Sequence, residues 1–372
     1  MSKKWQYRDE SKDISKSVLE NKSTQELEDA RDFISGLLGL RKLEKLVKTY
    51  INGTSAAVEY NEKEKVFVDY RIDGTSTGRL SCAAYTAGQK MGVSFHTLPR
   101  ETENNIRSIF VAPPNHAFIT VDYSAMELRV LAHIAREGRM QQAFCSGKDL
   151  HTYTARLLFD KEVISKEERQ IAKTVSFLIV YGGGAYNLAE TMSIPLKRAE
   201  KIINNYKNVY PGVFEFMEFV NEFIKTNKYA YTIFGRRRNL PNVDSRHRAV
   251  VNRAYRQGLN FTIQSSSSDI LLCSLLGIYN EFKTLGMKSK IVSTVHDSIE
   301  LIAPYDEIKD ACDIIYNQMV NYPLMKEKFN IHFDIPFAIE TIVGKSFGDG
   351  VEVKYEDGKA INISDVRKYL EV

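Results

Sequence analysis

The sequence lacks the marks of several protein classes. Its four cysteines, Cys82, Cys145, Cys273 and Cys312, are scattered, with no Cys-x-x-Cys pair and no histidine at ligand spacing. That argues against a zinc site and suits a reduced, cytosolic compartment. The opening residues, MSKKWQYRDESKD, contain no apolar core of the kind a signal peptide needs. No run approaches the ~18 apolar residues of a membrane span, so a cytoplasmic protein with no membrane partner is expected. Charge of one sign is scarce: 51 Lys plus Arg face 47 Asp plus Glu, a formal net charge of +4. Such a balance does not by itself argue for nucleic acid, so any such argument must come from local clustering. What remains is a chain of 372 residues, 43% apolar, large enough for two or three domains around a sizeable core.

Residues 1–22 are charged and poor in large apolar groups, which reads as a loosely held arm. Ser23 and Glu26 form a capping box that predicts a helix start. That helix, or a second one after Gly36, would carry Leu37, Leu38, Leu40, Leu43, Leu46 and Val47 toward a core. AFITVDY (117–123) is an apolar strand that stops on a carboxylate and runs into a helical pattern. A helix is expected over about 165–181, capped by Ser165 with Glu168 and ended by Gly182-Gly183-Gly184. Two more helices flank Tyr210-Pro211-Gly212. A long helical pattern from about 245 to 284 is interrupted by the serine run 265–268. KIVSTV (290–295) and IELIA (299–303) read as a β-hairpin with His-Asp-Ser at its turn.

Asp122 and Asp297 both stand at strand ends. Taken singly, each suits a turn or a helix N-cap. Together they suit a clamp for two metal ions, which requires hard oxygen ligands on rigid elements. Spacing leaves both readings open. Arg169, Lys173, Phe177 and Tyr181 recur every four residues and so share one slowly drifting helix stripe. Two cations followed by two rings suit a nucleoside triphosphate, and they also suit an ordinary amphipathic helix with a basic edge. Arg248, Asn252, Arg256, Asn260 and Gln264 form a second stripe that can face the minor groove or simply solvent. The small serines after it would let a nucleic acid backbone come close. Seven arginines against Asp244 within 231–260 concentrate positive charge that the overall balance conceals.

At this point the motifs are recognisable. VDYSAMELRVLAH (121–133), RQIAKTVSFLIVYG (169–182) and TVHDSIEL (294–301) resemble motifs A, B and C of the family A DNA polymerases. GTSTGRLS (74–81), GKDLHTYTA (147–155), FGRRRNLP (234–241) and RQGLNFTIQSSSSD (256–269) match too, all in the family's order and covering roughly 37–348. The resemblance implies an α+β right-hand polymerase fold, with an antiparallel palm sheet, helical fingers and a reduced thumb. Residues 1–73 would be an N-terminal arm and thumb remnant, 74–135 and 246–350 the two parts of the palm, 136–245 the fingers, and 351–372 a C-terminal extension. It further implies template-directed DNA synthesis on primer–template DNA with dNTPs. Asp122, Asp297 and the carbonyl of Tyr123 would hold two Mg²⁺ ions, with Mn²⁺ as a substitute. Arg169, Lys173 and His151 match positions that hold the triphosphate, Lys173 being a proton donor to pyrophosphate. Phe177 and Tyr181 match residues at the nascent base pair. Arg79, Arg256, Asn260, Gln264 and His296 match primer–template contacts, and Glu127 matches the residue that blocks a ribose 2′-hydroxyl.

Some features depart from the family. Ser298 stands where most members have Glu after the motif C aspartate, Leu178 replaces a small Gly, and Ser176 replaces Asn. Only about 73 residues precede GTSTGRLS, so no proofreading in cis is expected. One expectation is a split or streamlined polymerase of phage type, whose partner chain would supply thumb and exonuclease functions, in the host cytoplasm if phage-encoded; the rival expectation is a stand-alone distributive enzyme. Residues after Gly350 suggest a docking element. The rival functions are a catalytically dead relative that only binds primed DNA, and an RNA polymerase or reverse transcriptase. Intact Asp122, Lys173 and Asp297 disfavour the first, and Glu127 with the motif B pattern the second.

Overall fold

A computed structural model describes residues 24–61, 65–84, 92–99 and 105–372; the expected capping box at Ser23 lies outside them. The chain forms two compact units, one running through Val68 with Ala83–Ser94, the other comprising Asp69–Cys82 and Phe95–Val372.

In the first unit, helix α1 (Thr24–Lys45) passes into a π-helical stretch (Leu46–Ile51) and then α2 (Asn52–Asn61). Gly36 does not break α1, because a helical glycine costs about 1 kcal/mol without terminating the hydrogen-bond ladder. The expectation that its leucines reach a core is overturned. Leu37, Leu38, Leu40, Leu43 and Val47 are exposed, Leu38 by 59%, and of that row only Leu46 is buried. A single helical run cannot cover all its apolar faces without a second layer.

The second unit takes in most of β1 (Val68–Arg71) and the start of β2 (Ser81–Ala84), and its principal strand is β3 (His116–Tyr123). Six helices follow: α3 (Met126–Ile134), α4 (Gly138–Cys145), α5 (Leu150–Phe159), α6 (Lys166–Val180), α7 (Ala185–Met192) and α8 (Leu196–Val209). Next come α9 (Pro211–Asn227), the short pair β4 (Tyr229–Tyr231) and β5 (Arg237–Asn239), and α10 (Arg248–Asn260). A π-helical turn, Phe261–Ser265, joins α10 to α11 (Ser266–Thr284), so the serine run does not interrupt the helix. The chain then forms β6 (Lys290–Val295), β7 (Ser298–Pro304), α12 (Ile308–Tyr316), α13 (Pro323–Phe329) and β8 (Ile339–Gly344). It closes with β9 (Val351–Glu352), β10 (Tyr355–Glu356), β11 (Lys359–Ala360) and α14 (Ile363–Leu370).

Five strands make one antiparallel sheet in the order β6-β7-β3-β8-β9. Period-2 alternation divides its faces. Ala117, Ile119, Val121 and Tyr123, with Ile299, Leu301 and Ala303, are buried in the core cluster that also holds residues of α3 and α11. Phe118, Thr120 and Asp122 point the other way, and Phe118 stacks on Phe347 at 5.5 Å.

Of residues 351–372, β9 adds the last strand to this sheet, β10 and β11 pair with each other, and the segment packs into the core. Val351 pairs with Val343, and Val353, Ala360, Val366 and Leu370 are buried. The Asp313 carboxylate accepts from the Ala360 N–H at 2.8 Å. Among the described residues the one helix long and apolar enough to cross a membrane is Arg248–Thr284, and 67% of its apolar window is buried inside the protein.

One buried cation secures the turn between β3 and α3. Arg129 donates to the carbonyl of Ser124 at 2.8 Å and to that of Pro336, and its guanidinium lies 4.4 Å from the Phe144 ring. Burial lowers its pKa to about 10. Arg129→Ala leaves two carbonyls without their donor, and should cost about 2–4 kcal/mol of stability in urea unfolding.

Candidate active site

The two predicted carboxylates are brought together by strand register. Asp122 on β3 lies opposite Ser298 on β7, and the Tyr123 N–H donates to the Asp297 carbonyl at 3.4 Å. β6 and β7 form the expected hairpin, but its turn is only the two residues His296-Asp297, Ser298 already belonging to β7; His296 is in the left-handed region at φ 59°. Asp122 is not a helix cap: α3 is preceded by Ala125 at φ 52°, with no side-chain cap bond. Of the two sequence readings for Asp122, the N-cap is excluded.

Glu127, in the first turn of α3, is buried and tied to three other predicted residues. Arg79 Nη2 donates to its Oε1 at 2.8 Å, Gln264 Nε2 to the same oxygen at 3.0 Å, and Tyr181 Oη to Oε2 at 3.4 Å. The same Arg79 nitrogen reaches the Asp297 carboxylate at 3.2 and 3.4 Å. Burial raises the pKa of Glu127; the charge of Arg79 and the Gln264 bond oppose the rise, and Asp297 adds to it.

Helix α6 begins with the predicted capping box, Ser165 accepting from the Glu168 N–H and Glu168 from that of Ser165. Its Arg169 makes a two-pronged bond to Asp149, at 2.9 and 3.0 Å. Burial raises the pKa of Asp149, but bonds from Arg169 and Thr152 outweigh this and hold it well below the usual carboxylate range. Lys173 is exposed one turn on. The His151 ring lies 5.8 Å from that of Phe177, and burial lowers its pKa to about 4 against the pull of Asp149, so His151 is neutral. Ser176 is buried and bonds back to the Ala172 carbonyl at 2.8 Å. Leu178 fills the space beside Gly183, where a Cβ would meet its Cγ at 2.7 Å. Both departures in this motif are thus packed locally.

A Cβ on Gly182, at φ +67°, would meet Arg256 Cγ at 2.8 Å, so the end of α6 abuts α10. Arg256 is exposed and Asn260 half-buried, while Gln264, within the π turn, is buried against Glu127. The expectation that the serines admit a nucleic acid backbone is overturned: Ser265, Ser266, Ser267 and Ser268 are all buried. Ser266 and Ser267 bond back to carbonyls four residues earlier, which lets a helix bury hydroxyls, while Ser265 and Ser268 donate to Thr77 and Gly78. His296 faces His96, ring to ring at 5.2 Å. Among the described residues, four buried side-chain polar atoms have no hydrogen-bond partner. Three belong to predicted residues: Arg79 Nε, His151 Nδ1 and Asn260 Oδ1. Orphaned polar atoms are rare in folded proteins and mark places where a ligand can bond.

Sequence reasoning missed a second tier. Thr120 and Ser298 donate to the two oxygens of buried Glu300, at 2.6 and 2.7 Å. The available signal was period-2 spacing, which puts Ser298 and Glu300 on the face of Asp122. Asp149 was also missed as the partner of Arg169, although it caps α5. No group of three or more His, Cys, Asp or Glu among the described residues is arranged to hold a metal. The donors available are Asp122, Asp297 and the Tyr123 carbonyl, all hard oxygens. They fit a divalent cation whose shell is completed by ligand oxygens and water. The Arg79 guanidinium on Asp297 shows that this carboxylate attracts a cation.

Comparison with known proteins accords with this geometry. The family model "DNA polymerase family A" matches residues 2–349. DNA polymerase I of Caldicellulosiruptor bescii is 32% identical over 324 residues, covering 86% of this chain and 36% of that protein. The thermostable DNA polymerase I of Thermus filiformis is 31% identical over 335 residues, covering 89% and 38%. A solved structure, the polymerase domain of Pol1 from M. smegmatis in complex with DNA primer-template and dNTP, superposes with a TM-score of 0.76. It is 27% identical and covers 85% of this chain and 53% of that one. The chain belongs to the family A DNA polymerases, and its α+β fold is the polymerase fold of that family. It spans a little over a third of the length of these two curated relatives.

Glu300 gives the site a pH signature. Burial raises its pKa from 4.5 to about 7, against the bonds from Thr120 and Ser298 and the charge of Arg107, with Asp122 adding to the rise. The folded state therefore keeps a proton that the unfolded chain releases, and stability falls as pH climbs from 4.5 toward 7. Glu300→Gln cannot release that proton. Across this window the parent should lose about 3 kcal/mol relative to the variant, read by urea unfolding over a pH series.

Proposed function

We propose that this chain carries out template-directed addition of deoxynucleotides to a primer 3′-hydroxyl, releasing pyrophosphate. The observation that carries the reading is the β3–β7 register, which sets Asp122 beside the Asp297 turn in a chain of this family. Asp122, Asp297 and the Tyr123 carbonyl would hold two Mg²⁺ ions, for which Mn²⁺ can substitute. Bound there, the ions would lower the pKa of the 3′-hydroxyl and offset charge growing at the α-phosphate.

The chain's own groups do the remaining work. Arg169 exchanges Asp149 for a triphosphate oxygen, a swap between two anions that suits a fork of donors. Lys173, exposed on the same stripe, neutralises the phosphates and gives a proton to departing pyrophosphate. His151, whose charged form burial disfavours, serves as a hydrogen-bond partner. Phe177 and Tyr181 pack on the nascent base pair. Arg79, Arg256, Asn260, Gln264 and His296 contact the primer–template. Glu127, held by Arg79, Gln264 and Tyr181, closes the space a ribose 2′-hydroxyl would need. The primer-template and dNTP of the similar M. smegmatis complex support these ligand assignments. In this reading residues 74–135 and 246–350 form the palm and 136–245 the fingers, and the cytoplasm is the compartment. Proofreading and a partner chain play no part in it.

Primer extension with Mg²⁺ and dNTPs or NTPs tests the proposal. Asp122→Ala and Asp297→Ala should each lower the rate about a thousandfold, the several kcal/mol that metal-assisted charge stabilisation supplies. A parent chain that shifts primed DNA in a gel but extends nothing would favour the binding-only rival. Glu127→Ala should admit ribonucleotides; unchanged exclusion in the same assay counts against its role.

A further inference from the structure

Behind the two aspartates lies a side-chain bridge that the chemistry above does not use. Asp122 pairs with Ser298 across β3 and β7, and Thr120 pairs with Glu300 one step further along. Thr120, Asp122, Ser298 and Glu300 therefore share one face of the sheet. The Glu300 carboxylate spans the two strands there, accepting from Thr120 Oγ1 at 2.6 Å on one oxygen and from Ser298 Oγ at 2.7 Å on the other. Glu300 is 1% exposed and Ser298 4%, so water does not compete for these bonds. The Ser298 hydroxyl also lies 3.0 Å from the Val295 carbonyl, at the far side of the turn that carries Asp297. Thr294 Oγ1 donates to the Ser298 carbonyl at 2.7 Å, fixing the same turn from β6. One end of the bridge stands two residues before Asp122, and the other is the residue after Asp297.

We propose that Glu300 is a positioning residue for nucleotidyl transfer: by holding Thr120 and Ser298 together, it fixes how Asp122 and the Asp297 turn face each other. A buried carboxylate held by two hydroxyl donors, with the charge of Arg107 acting on it, is a costly way to hold a sheet that an apolar pair would hold as well. Its return is orientation, since supporting bonds of this kind set the geometry of the ligands in front of them. The inference rests on the metal-holding reading of Asp122 and Asp297.

The test is a titration of the full chain with Mn²⁺ alone, followed by electron paramagnetic resonance, alongside single-turnover extension. Glu300→Val removes both bonds. It should weaken Mn²⁺ binding about tenfold and slow the chemical step about tenfold or more, with KM for dNTP changed less than about twofold. Glu300→Gln keeps an acceptor for Thr120 and a donor for Ser298, and should stay within about threefold of the parent. If Glu300→Val does not fold, Ser298→Ala and Thr120→Val each remove one arm, and each should give a loss of about threefold. A folded Glu300→Val protein within twofold of the parent in both measurements overturns the proposal, as do single-arm variants without effect. Asp297→Ala separates the two ideas. If it binds Mn²⁺ like the parent, the metal reading fails; if it loses binding while Glu300→Val does not, only the bridge fails.

Discussion

The pairing of β3 with β7 is the constraint on which the rest of this site depends. A one-residue slip in that register would turn Asp122 toward the core and Val121 toward the open face. The slip is opposed from both sides of the strand. Ala117, Ile119 and Val121 are buried on one face, and Phe118 stacks on Phe347 on the other. β8 holds the second edge of β3, and β9 in turn covers β8. The C-terminal residues thus belong to the chain of pairings that ends at Asp122.

Electrostatics in the site are arranged around Arg79. One guanidinium serves Glu127 and Asp297, and Gln264 and Tyr181 complete the shell of Glu127. A buried carboxylate without such partners would be neutral and could not keep a fixed shape. Arg169 and Asp149 form a second charged pair at the start of α6.

Much of this could be read from the chain before folding. The capping box at Ser165, the Pro211 helix start, the β6–β7 hairpin and the strand ending on Asp122 all follow from local rules, because short-range hydrogen bonding and period decide them. What was not legible depended on partners distant in sequence. The leucines of α1 look like a core stripe, since a helical pattern does not reveal whether a second layer covers it. The serines 265–268 look like a break in the helix that a nucleic acid backbone could approach, but their hydroxyls find helix carbonyls and the loop around Thr77 and Gly78. Glu300 lies inside the TVHDSIEL match but was given no role there; its meaning comes from Thr120, which only the strand pairing brings near.

The π-helical turn at Phe261–Ser265 is a dislocation in an otherwise regular rod. One extra residue in a turn rotates everything beyond it by about 100° relative to an unbroken α-helix. Upstream, Arg248, Asn252 and Arg256 keep their outward row; within the turn Gln264 points inward to Glu127, and downstream Ser266, Ser267 and Ser268 are buried. A single rod can therefore present two unrelated faces without a loop between them. The two faces can then diverge independently, since the phase of each is set by the fault and not by the other.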